Sequence, residues 1–214
     1  MHVHELAPGL WRWTAYHEEW RQDVGSVFCE TSDGVVLVDP LVPADPASER
    51  RFWRALDRDV ERVGGDVHVL VTIFWHTRST ADVAARYGAR ARIWAPSSGR
   101  AAVARRAGVV TDAFHPGEAL PGGIEAFRTA RRTEVVYRLP QHRALVLGDV
   151  LLGDGKGGVR MCPESWLPSG TGHRELAASL APLLELPLDR ILVSHGEPVL
   201  ESGAAALAAA VGRT

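Results

Sequence analysis

The chain has 214 residues, of which 46% are hydrophobic and 23% are charged, and this composition favours a soluble globular protein over a disordered one. The net charge of −2 excludes a general attraction to nucleic acid or anionic lipid, although Arg128, Arg131 and Arg132 form a local basic patch that could bind an anion. The two cysteines are far apart, which excludes a disulfide framework and a CxxC zinc knuckle. The start shows no signal-peptide pattern, and no apolar run reaches membrane-spanning length. We therefore expect a cytoplasmic protein without nucleic-acid or membrane partners.

The first half of the chain predicts hairpin strands followed by alternating helices and strands. LWRWTAY, SVFCET and GVVLVDP are short apolar runs separated by turn residues, which is typical of strands. Residues 45–63 combine an acidic start, a proline in the first turn, apolar residues at three- and four-residue spacing and a Gly-Gly stop, which together predict a helix. HVLVTIF predicts a central strand buried on both faces. Helices over 79–87 and 97–107 then flank the strand ARIWAP.

The second half predicts a similar series of elements. GGIEAFRTA, TEVVYRLP and RALVLGDVLL indicate strands, HRELAASLAPLLEL a helix, RILVSHG a further strand, and the Ala-rich end a last helix. GDGKGG, at residues 153–158, lacks the spacing of a phosphate-binding loop and predicts a turn. No low-complexity linker separates the two halves, so we expect one domain over residues 1–214, with helices outside a pair of sheets.

The strand-ending motifs GVVLVDP, HVLVT, ALVLGDVLL and ILVSHG, taken in this order, resemble the metallo-β-lactamase superfamily over essentially the whole chain. The resemblance implies an α/β fold, a four-layer αββα sandwich with a metal-hydrolase site at the edge of its two sheets. It also implies zinc as the cofactor and hydrolysis of an ester, thioester, lactone or amide. The hallmark of that family is a His-x-His-x-Asp-His turn after a central strand. A later histidine, an aspartate ending a strand and a last histidine complete its ligands.

Only two of these ligand positions are retained in this sequence. Asp149 matches the bridging aspartate and His195 the last histidine. The ligands of the hallmark turn are replaced by Ile73, Trp75, Thr77 and Arg78, and the later histidine is missing from the turn TARRT. Because two ligands are too few for a catalytic zinc site, we expect no metal cofactor. The expected function is that of a pseudo-enzyme that has lost two-metal activity and binds a small molecule in the former active site.

Two alternatives describe what neutralises the negative charge of Asp149. In the first, the Arg78 guanidinium occupies a former ligand position and forms a two-pronged ion pair with Asp149. In the second, a rearranged set of Asp149, His195, His76 and His115 holds one zinc ion, and the chain is an active one-metal hydrolase. Glu164 and His173 are reserve ligands in that case. The sequence leaves enzymatic activity open.

Aromatic residues and one further aspartate complete the candidate cleft. Trp75 either fills the space of the missing metal or lines a pocket for a small anion or an apolar acid. Trp166 and Trp20 could overhang that pocket. Asp39 either braces the site, as the resemblance implies, or is an ordinary turn residue at the end of its strand.

Overall fold

A seven-stranded sheet is formed by the first half of the chain. The computed structural model describes residues 1–212, so the last two residues of the predicted domain lie outside the described part. The strands, in both chain and spatial order, are β1 (His2–Ala7), β2 (Leu10–His17), β3 (Gln22–Thr31), β4 (Gly34–Val38), β5 (Asp66–Leu70), β6 (Ala91–Pro96) and β7 (Asp112–Phe114). Neighbours are antiparallel from β1 to β4 and parallel from β4 to β7. The parallel strands therefore end at one common edge.

The second half of the chain forms a four-stranded sheet and a small hairpin. Its strands are β8 (Glu125–Arg128), β9 (Val135–Leu139), β10 (Ala144–Leu147), β11 (Leu151–Gly153), β12 (Val159–Met161) and β13 (Arg190–Val193). The four-stranded sheet has the order β13-β10-β9-β8, and β11 pairs with β12 alone. Strands β10 and β13 are parallel, so the residues that follow them also meet at one edge.

Five helices cover the outer faces of the two sheets. They are α1 (Pro46–Val63), α2 (Thr80–Tyr87), α3 (Arg100–Ala107), α4 (His173–Leu180) and α5 (Gly203–Val211). Helix α1 begins where the Asp45 carboxylate accepts a hydrogen bond from the Ser48 amide, and it ends at Gly64. None of the described helices combines the length and apolar character needed to cross a membrane.

The buried side chains form three apolar layers. One lies between α1 to α3 and the first sheet, one between the two sheets, and one between the second sheet and α4 and α5. Successive side chains of β4 point to opposite faces of the first sheet and so belong to two layers. Val35 and Leu37 face the helices, while Val36 and Val38 face the second sheet. This arrangement confirms the expected four-layer αββα sandwich.

Differences from the predicted elements occur where local signals compete. The strand expected over HVLVTIF ends at Leu70, and residues 74–77 form a short 3-10 turn. RALVLGDVLL divides into β10 and β11, and α4 ends before Pro182, because proline cannot continue the helix. Helix α3 begins at Arg100, three residues later than expected. GDGKGG is a turn, as predicted, in which the Asp154 carboxylate accepts backbone hydrogen bonds.

Candidate functional site

Three side chains that could hold a metal ion converge at the edge where strands of both sheets end. His76 lies in the turn after β5, Asp149 follows β10, and His195 follows β13. Asp149 Oδ1 is 3.2 Å from His76 Nε2 and 3.1 Å from His195 Nε2, and the three ligand atoms all lie within 4.8 Å of one another. The structure thus brings together three of the four ligands of the rearranged set, which we name the His76–Asp149–His195 triad.

The facing atoms of the triad form close charged contacts with one another. His76 Nε2 and Asp149 Oδ1 are both buried, and neither has a hydrogen-bond partner among residues 1–212. Buried polar atoms without partners are costly, and they are uncommon in native structures. Two nitrogen atoms and one oxygen atom that face each other in this way are suited to share a cation.

Asp39 fixes the ring of His76 from below. Asp39 Oδ2 is 2.9 Å from His76 Nδ1, and Oδ1 accepts the Thr72 amide at 2.8 Å. The Thr72 hydroxyl also donates to Asp39, so the acceptor-only carboxylate requires His76 Nδ1 to carry a proton. His76 Nε2 is then directed towards Asp149. Asp39 thus contacts the site through His76 and Thr72 and does not line the cleft.

The second oxygen of Asp149 is engaged by protein donors. Trp75 Nε1 donates to Asp149 Oδ2 at 2.6 Å, and Arg131 Nη1 lies 3.4 Å from the same oxygen. Burial alone would raise the pKa of Asp149, but contacts with His195, His76 and Trp75 outweigh it and lower the pKa well below its usual range. Asp149 is consequently a carboxylate at neutral pH, as a metal ligand must be.

Arg131 belongs to a buried network under the cleft. Its Nη1 is 3.0 Å from Glu134 Oε2, and its Nη2 donates to the backbone carbonyl of Trp166. Glu134 Oε1 accepts the backbone N–H groups of Asp149 and Val150 at 2.6 and 2.9 Å. Burial and the charge of Asp149 raise the pKa of Glu134 to about 7. This network orients the chain at Asp149 and supplies one fixed guanidinium beside it.

The expected ion pair between Arg78 and Asp149 is wrong, because Arg131 is the arginine that pairs with this carboxylate. Arg78 Nη1 donates to the carbonyl oxygens of Gly25 and Asp39 at 2.8 and 2.9 Å, and Nη2 donates to the Ser194 hydroxyl. Burial lowers the pKa of Arg78 to about 10. Its φ of 36° turns the side chain towards these strand ends. Arg78 therefore links residues of the first sheet to Ser194, which follows β13 of the second sheet.

An open cleft of about 780 Å³ lies above the triad. Its aromatic and basic lining consists of His17, Trp20, Trp75, Trp166, His195, Arg78, Arg106 and Arg131. Trp20, on the hairpin between β2 and β3, places its ring centroid 5.5 Å from that of His76 and 5.9 Å from that of His195. Trp75 both packs against the site and lines the cleft, so the two roles considered for it are combined.

The remaining candidates lie in different places. Thr77 lines the cleft, whereas Ile73 is fully buried in the protein core. Trp166 lines the cleft as expected, but three other cleft candidates do not. His115 is exposed after β7, and His76 and Asp39 are buried, so their assignment as cleft residues is corrected. His173 Nε2 contacts the Cys162 carbonyl oxygen at 2.7 Å, outside the triad. From the sequence, Arg131 was predicted only as part of a basic patch, and Glu134 was not predicted as a site residue. The RxxE spacing of this pair was the available signal.

Comparison with known proteins identifies the fold. No family model and no curated protein sequence matches the chain. A metallo-β-lactamase from Pontibacter korlensis is similar over 100% of this chain and 99% of its own, with a TM-score of 0.70 and 16% identity. The DIM-1 metallo-β-lactamase exposed to ceftazidime covers 99% of this chain and 96% of its own, with a TM-score of 0.68 and 12% identity. The metallo-β-lactamase IND-7 is similar over 99% of this chain and 97% of its own, with a TM-score of 0.68 and 13% identity.

These similarities extend over nearly the full length of the chains on both sides, and they agree with the four-layer arrangement. The chain has the metallo-β-lactamase fold.

Proposed function

We propose that this chain is a metal-dependent hydrolase that works with a single divalent ion held by the His76–Asp149–His195 triad. The observation that carries the proposal is the convergence of the three ligand atoms, two of which are buried without a hydrogen-bond partner within residues 1–212. This proposal replaces the expectation of a site without a metal cofactor.

The donor set fits a catalytic ion. Two imidazoles and one carboxylate form a three-ligand set that leaves a coordination position open, as in catalytic zinc sites, and the same set also suits iron(II). Asp39 supports His76 in the manner of a second carboxylate behind a metal-ligating histidine. An ion bound there would supply Lewis-acid activation and lower the pKa of a bound water.

The geometry favours one ion over two. Asp149 Oδ2, which a second ion would need, accepts the Trp75 N–H and lies beside the Arg131 guanidinium. Ile73 and Trp75 offer no metal-ligating atoms on the side of the hallmark turn. The Arg131 charge next to Asp149 also repels a second cation. The two-metal chemistry implied by the fold is therefore not proposed for this chain.

The chain's own residues would orient the substrate and exclude water. Trp20 covers both histidine rings of the triad, which limits access from the hairpin side. Arg131, held by Glu134, places a fixed positive charge near the oxyanion that forms when an ester, thioester, lactone or amide carbonyl is attacked. Because its partners hold it in position, the guanidinium needs no reorientation as that negative charge develops.

A second candidate is a small-molecule-binding pseudo-enzyme, which is the function expected from the sequence. One specific observation favours it: Arg131 and Trp75 already satisfy one oxygen of Asp149 with protein donors. In that case the cleft binds a ligand, and no reaction takes place.

Metal binding distinguishes the two candidates. Protein without a His tag is stripped with a chelator, titrated with Zn²⁺ by calorimetry, and analysed for zinc by mass spectrometry. One ion per chain is expected, and His76→Ala and His195→Ala should each abolish stoichiometric binding. His115→Ala, which alters an exposed histidine away from the triad, is the matched control and should bind like the parent. A parent protein that binds no ion, or variants that bind as well as it does, would refute the one-metal hydrolase and favour the pseudo-enzyme.

A further inference from the structure

The charges that face the cleft are unequal, and one of its arginines has no anionic partner. Asp149 and Glu19 are the carboxylates in the lining, against the three guanidinium groups of Arg78, Arg106 and Arg131. Arg131 is paired with Glu134, and Arg78 is engaged by backbone carbonyls and hydroxyls. Arg106, on α3, forms no ion pair with any residue in the described part of the chain. The cleft therefore carries one guanidinium that no carboxylate of the described residues pairs with.

The position of Arg106 is set by aromatic packing. Its guanidinium carbon lies 5.7 Å from the centre of the Phe74 ring, and Phe74 in turn packs edge-on against Trp75 at 4.2 Å. This contact holds the guanidinium on the Trp75 side of the cleft while its donors stay exposed. Because a guanidinium presents a planar fork of N–H donors, it is suited to bind a carboxylate.

The His195 side of the cleft offers an apolar surface. Trp166 is 43% exposed, unlike most large apolar side chains of the protein, and its ring centroid lies 6.4 Å from that of His195. An exposed indole in a concave site is a surface on which a flat apolar group can stack. The cleft thus has a cationic side at Arg106 and an aromatic side at Trp166, and Asp149 and His195 of the triad are part of its lining.

We infer that the substrate is an organic carboxylate with a flat apolar body. Its carboxylate binds Arg106, its body stacks on Trp166, and the bond to be hydrolysed lies over the triad. This inference rests on the proposed function for the reaction, but the recognition it describes needs no metal. Carboxylate binding can therefore be tested on metal-free protein. A failure of this test would not contradict the proposed metal site, and a failure to bind metal would not contradict carboxylate binding.

The test is calorimetric titration of chelator-treated protein with 1-naphthoate and with the neutral 1-naphthamide. Naphthoate should bind at least about tenfold more tightly than the amide. Arg106→Met should weaken naphthoate binding by about tenfold and leave amide binding unchanged, because only the charge interaction is removed. Trp166→Ala should weaken the binding of both compounds.

Arg105→Met is the matched control, since Arg105 is an exposed neighbour on α3 that does not line the cleft. It should bind naphthoate like the parent. Equal affinity for the acid and the amide, equal effects of the two arginine substitutions, or no naphthoate binding at millimolar concentration would each overturn the inference. None of these results would alter the zinc stoichiometry, so the two proposals fail separately.

Discussion

Replacing Arg131 with methionine should destabilise the fold strongly, because it leaves a buried carboxylate without its cation. The Arg131 side chain is 5% exposed and that of Glu134 is 0% exposed, with 3.0 Å between their charged groups. Removing one partner of a buried ion pair costs about 3–5 kcal/mol of unfolding free energy. Two effects partly offset the loss. Glu134 keeps two backbone donors at 2.6 and 2.9 Å, and with a pKa already raised to about 7 it can take up a proton once Arg131 is gone. We therefore expect the lower end of this range, about 3 kcal/mol.

Urea denaturation followed by far-ultraviolet circular dichroism measures this loss as a shift of the midpoint at unchanged slope. Adding Glu134→Gln to Arg131→Met should recover about half of it, because glutamine keeps an oxygen for the backbone donors and carries no charge. Arg132→Met alters the exposed neighbour of Arg131 and should leave the midpoint unchanged. A loss below about 1 kcal/mol in Arg131→Met, or no recovery in the double variant, would refute the role assigned to this pair.

Three further predictions concern the brace, the backbone and the thiols. Asp39→Asn should weaken zinc binding by about 10–100-fold at unchanged stoichiometry, because the contact of Asp39 with His76 Nδ1 is disturbed. An unchanged zinc affinity in calorimetry would contradict the proposed support of His76 by Asp39. Gly148→Ala would place a Cβ 2.7 Å from a threonine hydroxyl and should cost about 1–3 kcal/mol in urea denaturation. The control Gly99→Ala, whose nearest neighbour is at 3.5 Å, should cost clearly less. Burial raises the pKa of Cys29 to about 12 and that of Cys162 to about 11, so iodoacetamide at pH 8 should label both slowly in native protein and readily in urea. Fast native labelling, detected by mass spectrometry, would show that the thiols are not buried.

Much of the fold was predictable because its signals are local. The acidic start and Gly-Gly stop of residues 45–63 depend on neighbours within a few positions, and α1 has the expected end and begins within one residue of the expected start. The apolar runs of β4 and β10 likewise indicate buried strands without knowledge of their partners. Two triad members, Asp149 and His195, were predicted as site residues because each lies two positions after the end of a strand, in a motif that resembles a known family.

The partners within the site could not be predicted in the same way. Trp75 and Asp149, whose side chains meet at 2.6 Å, are 74 residues apart, and their contact depends on how the two sheets stack. In the turn after β5, the irregular backbone directs His76 towards Asp149 and Arg78 towards backbone carbonyls. The directions of these side chains cannot be predicted from residue types, because side chains in an irregular turn do not follow the regular periods of helices and strands.

Local periodicity in the sequence therefore predicted paired sheets with helices outside them. The resemblance of the strand-ending motifs to a known family added the four-layer arrangement and pointed to Asp149 and His195 as site residues. Only the assembled fold shows that His76 lies beside Asp149 and His195, that Arg131 and not Arg78 pairs with Asp149, and that an exposed arginine and an indole border the cleft. These contacts were not predictable because the residues that meet in the site are far apart along the chain. Hydrophobic burial specifies which elements pack together, but the contacts of a polar side chain depend on atomic positions that only the assembled sheets and turns define.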